Sequence, residues 1–319
     1  MRIVVTDAAF PNLNHERAVA AQHNATIEEA RCMSPADVVK AARGAHVLLV
    51  QFAQVTREAI QVLAPNAAIV RYGLGLDNID LRAAREKGVR VAYVPDYATT
   101  EVADHTAALI LTALRKIIPL DRSVREQSWD PVGVCAPMPS FTKLIVGFIG
   151  FGRIGQEVHT RLVPFGFRSV LSDPSVDETT LNRTRTRAVD LPTLFSTVDV
   201  LTLHAPLTHA TRHLVNAERL RLMKPTALII NTARGGLIDT TALEEALTEG
   251  RVGGAALDVF EEEPLPKNSK LRLLKNVVLT PHAAWYSMQA LELIQASAAD
   301  EVDRYLSGRP ARCLAPLPE

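Results

Sequence analysis

Short apolar runs alternate with amphipathic stretches along almost the whole chain. Between Met1 and Ala98, Ile3–Thr6, His46–Val50, Ala68–Tyr72 and Val89–Val94 are apolar runs of strand length, while Ala18–Gln22, Pro35–Arg43, Arg57–Leu63 and Leu81–Lys87 have helical spacing. Runs without polar alternation suit parallel strands covered on both faces. Ser34 and Thr56 stand where helix N-caps are expected, with Pro35 at a first helical position. A longer helix is predicted over Thr100–Ile118, and Asp121–Phe141, rich in Pro and polar residues, reads as an arm or linker. The rhythm then resumes. Strands are predicted at Leu144–Ile149, Arg168–Ser172, Val200–Leu203, Ala227–Asn231, Ala255–Val259 and Val277–Thr280, and helices at Arg153–Phe165, Thr241–Thr248 and Ser287–Leu306. Pro310, Pro316 and Pro318 mark an expected tail. Strand–helix alternation of this kind predicts βαβ units and a doubly wound α/β architecture.

Composition narrows the function classes. The 319 residues exceed one ordinary domain and suit two. The 35 Lys and Arg balance 35 Asp and Glu, which gives no electrostatic footprint for nucleic acid or an anionic membrane surface. No apolar run approaches a membrane span. Met1-Arg2 leads straight into Ile3-Val4-Val5, so no secretory signal is expected. Cys32, Cys135 and Cys313 are odd in number and lack CxxC spacing, which argues against a disulfide framework or a metal site and for a cytoplasmic setting.

The candidate cofactor site follows the strand ending at Ile149. Gly150-Phe-Gly152-Arg-Ile-Gly155 has the spacing G-x-G-x-x-G and opens a predicted helix. The first glycine permits a tight turn, the second lets backbone approach a pyrophosphate, and the third lets helix pack on strand. Asp173 ends the next strand, where a carboxylate can accept both hydroxyls of an adenosine ribose. A 2′-phosphate would meet its charge, and Pro174 rather than an arginine follows, so NAD is expected over NADP.

Three polar residues follow three later strands: Arg234, Glu263 and His282. In a parallel sheet those ends share the ligand-binding edge. An arginine can hold a carboxylate bidentately, and a histidine can exchange a proton with a carbonyl or alcohol oxygen. A neighbouring glutamate stabilises an imidazolium. Spacing does not say which of Glu261, Glu262 and Glu263 faces inward, and Arg234 beside Gly235-Gly236 could instead bind helix carbonyls. His15, His23, His105, His159, His209 and His213 read as surface or hydrogen-bonded core residues.

Asn231-Thr-Ala-Arg-Gly-Gly-Leu-Ile-Asp239, Ala255-Ala-Leu-Asp-Val-Phe-Glu-Glu-Glu-Pro264 and Leu279-Thr-Pro-His-Ala-Ala284 resemble the signature segments of the D-isomer-specific 2-hydroxyacid dehydrogenases. Arg71-Tyr-Gly-Leu-Gly-Leu-Asp-Asn-Ile-Asp80 and Glu101-Val-Ala-Asp-His105 extend the likeness. The resemblance implies a Rossmann-type cofactor domain at 100–287 and a smaller flavodoxin-like substrate domain made of 1–99 and 288–319. It implies NAD-dependent interconversion of a small 2-oxo acid and its D-2-hydroxy acid, with Arg234, Glu263 and His282 as the catalytic set. Cofactor contacts carry over to Gly150, Gly152, Arg153, Ile154, Gly155, Asp173, Ala205, Pro206, Thr211, Thr232, Ala233 and Asp258, the last at the carboxamide. Substrate contacts carry over to the backbone of Leu74 and Gly75. It also implies a homodimer through the Thr100 helix and the arm around Trp129.

His282-Ala-Ala-Trp-Tyr-Ser287 and Pro95-Asp-Tyr97 are similar to the C-terminal binding protein branch, which adds Trp285 and Arg71 as expected substrate contacts and leaves an NAD(H)-sensing co-repressor as the alternative function. Arg71 ends a buried strand and needs a facing acid or ligand, with Asp77 or Asp80 as candidate acids. Gln51-Phe52 stands where phosphoglycerate dehydrogenases carry an arginine, which counts against that substrate. A phosphonate or dicarboxylate substrate would use Arg71 as a second anion clamp.

Overall fold

The computed structural model describes residues 1–316 as two compact units, one of Met1–Ala98 with the chain from Ser287 onward, the other of Thr99–Tyr286. The first unit runs β1 (Arg2–Val5), α1 (Asn14–Gln22), β2 (Thr26–Glu29), α2 (Pro35–Ala42), β3 (Val47–Val50), α3 (Arg57–Gln61), β4 (Ala68–Arg71), α4 (Leu81–Lys87) and β5 (Arg90–Tyr93). Its strands are all parallel in the order β2-β1-β3-β4-β5, the flavodoxin-like arrangement.

Period-two alternation sends the strand residues to opposite faces. Val4, Leu48, Val50, Ile69 and Val91 pack on Val38, Ala59, Ile60, Ala83 and Ala84 of α2, α3 and α4. Ile3, Val5, Val47, Leu49 and Val70 turn the other way, onto Leu13, Ala20 and three residues of the last helix, Ile294, Ala298 and Val302.

The second unit begins with α5 (Thr99–Leu114), α6 (Ile117–Arg125) and α7 (Pro131–Cys135). Then follow β6 (Ile145–Ile149), α8 (Arg153–Leu162), β7 (Arg168–Ser172), α9 (Glu178–Thr184), β8 (Arg187–Ala188), α10 (Leu191–Thr197) and β9 (Val200–Leu203). The unit closes with α11 (Ala217–Leu220), β10 (Leu228–Asn231), α12 (Thr240–Thr248), β11 (Gly254–Leu257) and β12 (Val277–Leu279). The chain then continues into α13 (Met288–Leu306) of the first unit. Strand order is β12-β11-β10-β9-β6-β7-β8, so the chain winds outward from β6 in both directions. The switch point of this Rossmann-type sheet lies between β6 and β9.

Several expectations need correcting. The helix predicted to Ile118 stops at Leu114, because Lys116 takes a left-handed φ of +50° before α6 begins. The stretch read as an arm or linker holds the end of α6 and all of α7. There Pro131 starts a helix, its missing N–H costing nothing at that position, and Asp130 caps it through the Gly133 amide. Ser34 caps α2 as expected, whereas Thr56 precedes α3 without a side-chain cap bond. The expected tail docks on β5: Cys313 accepts from the Tyr93 amide and Ala315 donates to Val91. Pro318 lies outside the described residues. Among the described residues no helix is long and apolar enough to cross a membrane.

Candidate active site

The glycine loop leaves β6 at the switch point of the seven-stranded sheet. Gly150 has φ +83°, and a Cβ there would stand 2.7 Å from the Ala205 amide nitrogen, so neither handedness nor space admits a side chain. A Cβ on Gly155 would meet the Gly150 carbonyl at 2.7 Å, which is the close approach of α8 to its strand. Gly152 differs: a Cβ there meets nothing within 4 Å. It occupies the N-cap of α8, makes no side-chain cap bond, and adjoins open space. A helix N-terminus beside open space fits a dinucleotide pyrophosphate.

Asp173 follows β7 and braces this loop. Its Oδ2 accepts from the Phe151 amide at 2.6 Å and its Oδ1 from the Ser175 amide at 2.8 Å. Across the switch point the Thr211 hydroxyl donates to the Pro206 carbonyl at 2.6 Å and closes the loop after β9. Thr232, buried after β10, lies 2.7 Å from the Thr106 hydroxyl of α5, and the Ala233 amide donates to Asn231 at 3.0 Å.

Arg234, Glu263 and His282 follow β10, β11 and β12, three neighbours in one parallel sheet, so they emerge on the same edge. Asn231 Nδ2 donates to the Arg234 carbonyl at 2.9 Å and pins the turn. Arg234 Nη1 donates to the Ala233 carbonyl at 2.7 Å, so one guanidinium nitrogen does hold a local carbonyl. Gly235 lets this turn press on the next one: a Cβ would fall 1.8 Å from the Phe260 carbonyl carbon.

The three adjacent glutamates part company. Glu261 accepts from the Thr240 amide at 2.8 Å and contacts His213 Nε2 at 2.6 Å. Burial raises its pKa, but the Thr240 bonds and His213 outweigh that and leave the carboxyl below its ordinary range. Glu263 instead takes the Phe260 amide on Oε1 at 2.9 Å and meets His282 Nδ1 with Oε2 at 2.7 Å. Of the three, Glu263 is paired with the histidine.

In the first unit Arg71 ends β4, and its Nη1 donates to the Tyr72 carbonyl. Gly73, at φ +122°, makes room for that fold-back, since a Cβ would lie 1.7 Å from Nη1. Leu74 is exposed and Gly75 partly so. Asp80, one of the two candidate acids, N-caps α4 through the Ala83 amide at 2.8 Å. Trp285 is 9% exposed and meets Tyr286 edge-on with centroids 5.8 Å apart.

Two residues of this chemistry escaped the sequence reading. Asp7, just past β1, accepts from the amides of Gln51, Phe52 and Ala53 and fills the backbone nest there with the chain's own carboxylate. Its position at a strand's C-terminal end was the available signal. His105, read as an ordinary helix histidine, stands with Nε2 3.1 Å from Thr280 and 3.6 Å from Asp258.

A doubly wound sheet with a glycine loop at its switch point defines a dinucleotide-binding protein. Residues 107–284 match the family described as D-isomer specific 2-hydroxyacid dehydrogenase, NAD binding domain. The D-3-phosphoglycerate dehydrogenase of Methanocaldococcus jannaschii is 37% identical over 321 residues, covering 100% of this chain, which spans only 60% of that relative. The glyoxylate reductase of Thermofilum pendens is 40% identical over 254 residues, 77% of this chain and 74% of that protein. The crystal structure of D-lactate dehydrogenase from Aquifex aeolicus, complexed with NAD and lactic acid, superposes with a TM-score of 0.86 at 28% identity, covering 96% of each chain. The chain belongs to the D-isomer-specific 2-hydroxyacid dehydrogenase family, and its binding domain is one for NAD.

Proposed function

We propose that this chain is an NAD-dependent dehydrogenase that interconverts a small 2-oxo acid and the matching D-2-hydroxy acid. The observation that carries the reading is the 2.7 Å contact of His282 Nδ1 with Glu263 Oε2, on the sheet edge that also bears Arg234. A carboxylate has no hydrogen to give, so Nδ1–H donates and Nε2 is the atom that gains or loses the transferable proton. NAD(H), when bound, supplies or accepts the hydride.

Gly150, Gly152 and Gly155 would let backbone approach the pyrophosphate, the first-turn amides at Arg153 and Ile154 would hold phosphate oxygens, and Asp173 would take the adenosine ribose. Ala205, Pro206, Thr211, Thr232 and Ala233 would border the dinucleotide, whereas Asp258, expected at the carboxamide, is fully buried and accepts from Thr280 and Ala283 on Oδ1 and from Ala284 on Oδ2. Arg234 grips the substrate carboxylate and fixes which carbon faces the hydride. In reduction, Nε2–H gives its proton to the carbonyl oxygen as charge develops there, and Glu263 offsets the imidazolium charge. In oxidation the same nitrogen takes the hydroxyl proton.

For the substrate, the Leu74 and Gly75 amides, Arg71 and Trp285 are the proposed contacts. Gln51-Phe52 and the Asp7 carboxylate beneath them disfavour a phosphate there, which supports an uncharged substrate side chain over phosphoglycerate. The branch containing the C-terminal binding proteins remains our placement, on Trp285, Arg71 and the His282–Ser287 segment. A homodimer through α5 to α7 is supported by exposed Ile117, Val124, Trp129 and Val132. The odd number and wide spacing of Cys32, Cys135 and Cys313 support a cytoplasmic setting.

The test is NADH consumption across 2-oxo acids from glyoxylate and pyruvate to aromatic, dicarboxylic and phosphono acids, with NADPH in parallel. Turnover of one class with NADH is expected. NADH binding with no turnover on any of them overturns the enzyme reading in favour of a dinucleotide sensor.

A further inference from the structure

Behind the His282 turn lies a polar network that the roles above leave largely unused. His105 is on α5, which packs over β10 and β11, and its Nε2 lies 3.1 Å from Thr280 Oγ1. The Thr280 hydroxyl in turn lies 2.5 Å from Asp258 Oδ1. Asp258 is fully buried and holds the turn at three consecutive amides. Its backbone carbonyl accepts from His282 at 2.7 Å, and its carboxylate accepts from Ala283 and Ala284, each at 2.9 Å.

That grip has a purpose visible in the backbone. His282 sits at φ +52°, a left-handed conformation that side-chain-bearing residues adopt when their surroundings over-determine them. Donor accounting then fixes the direction of the network. Thr280 has one hydroxyl hydrogen, and the short contact gives it to the Asp258 carboxylate. Thr280 can therefore only accept from His105, so His105 carries a hydrogen on Nε2.

We propose that His105 is a positioning residue: through Thr280 and Asp258 it holds the turn that presents His282 to the substrate. Its kinetic consequence rests on the dehydrogenase reading above, whereas the hydrogen-bond direction does not. Without the Nε2–H donor the Thr280 hydroxyl is free to rotate, Asp258 loses a fixed donor on Oδ1, and the left-handed turn relaxes. Small misplacement of a reacting group is costly, on the order of 10²-fold per ångström.

The experiment has two arms. Nitrogen-15 NMR of the histidines in the wild-type chain should find His105 protonated at Nε2, with its signal displaced in Thr280→Val; an Nδ1–H tautomer overturns the proposal. In steady-state kinetics, His105→Phe should lower kcat by roughly 10- to 10²-fold and leave the KM for the 2-oxo acid nearly unchanged. His105→Gln, whose amide can donate, should recover most of the loss. Unchanged kcat in His105→Phe, no recovery in His105→Gln, or a loss read wholly as weaker NADH binding each overturns the positioning role. If the wild-type chain reduces no 2-oxo acid, the dehydrogenase reading falls, and the NMR arm still decides the network.

Discussion

Glu263 divides its carboxylate between two partners, with Oε1 on the Phe260 amide at 2.9 Å and Oε2 on His282 Nδ1 at 2.7 Å. The first bond fixes the side chain to its own turn, so the second aims the imidazole rather than following it. Glu263→Gln keeps an oxygen for one partner but loses the charge that offsets an imidazolium. We expect kcat for 2-oxo acid reduction to fall on the order of 10²-fold, with the NADH dissociation constant nearly unchanged. Wild-type kcat in this variant would remove Glu263 from the chemistry.

Arg234 is the proposed carboxylate clamp, and lysine cannot reproduce its planar fork. One charge-assisted bond is worth about 1.5–3 kcal/mol, so Arg234→Lys should lower kcat/KM roughly 10- to 10²-fold. The loss should fall mainly in the KM for the 2-oxo acid. Equal losses on a substrate analogue without the carboxylate would show that Arg234 serves the loop through Ala233 instead.

Much of this was legible in the sequence, for reasons that differ by residue. Apolar runs such as Val47–Val50 and Ala68–Arg71 announce buried parallel strands because both of their faces are covered. β2, Thr26–Glu29, was missed because it is an edge strand whose two glutamates and threonine face solvent, which erases the signal. Pro131 misled because proline breaks a helix from inside and starts one from its first turn. Strand ends gave Arg234, Glu263 and His282 as candidates, but choosing among Glu261, Glu262 and Glu263 on the residues alone needed the turn, where Glu261 swings to Thr240 and Glu263 to His282. His105 was illegible, since its partner Thr280 lies 175 positions away.

Asp173 should decide cofactor choice as well as brace the loop. Its bonds to Phe151 and Ser175 leave the carboxylate charge at the end of β7, where a 2′-phosphate would be repelled. Wild-type kcat/KM should favour NADH strongly over NADPH. Asp173→Ser combined with Pro174→Arg should move that ratio toward NADPH by about a factor of ten or more, the size of one charge-assisted contact. An unmoved ratio would place the ribose elsewhere.

His204 gives the second unit an acid-sensitive element. Its Nδ1 is sealed from solvent without a hydrogen-bond partner, its Nε2 meets Thr202 at 2.9 Å, and its ring stacks on Phe148. Burial pushes its pKa down to about 3 from 6.5. The unfolded chain therefore binds a proton below pH 6.5 that the folded chain refuses. This part of the stability is fully present above pH 6.5 and is lost as pH falls toward 3, at up to about 1.4 kcal/mol per pH unit. Both tryptophans, Trp129 and Trp285, lie in this unit, so urea unfolding followed by tryptophan fluorescence reads it directly. His204→Gln should flatten the fall in midpoint between pH 6.5 and 4.5, and a slope equal to wild type would count against a buried neutral imidazole.

The α6–α7 segment bears the exposed apolar surface that a second copy of the chain would cover. Trp129 is 87% exposed, Val132 73%, Val124 55% and Ile117 52%. Single exposed apolar residues are ordinary, but four along one short segment, a tryptophan among them, are of the residue types that association would cover. Trp129→Glu would place a charge in the middle of such an interface. Light scattering coupled to gel filtration should then find a dimer for the wild-type chain and a monomer, or a dimer weakened by at least about 2 kcal/mol, for the variant. Because Trp129 lies outside the strand ends that carry Arg234, Glu263 and His282, NADH binding should survive the substitution. A wild-type monomer, or a variant dimer of undiminished affinity, would assign this surface to something other than self-association.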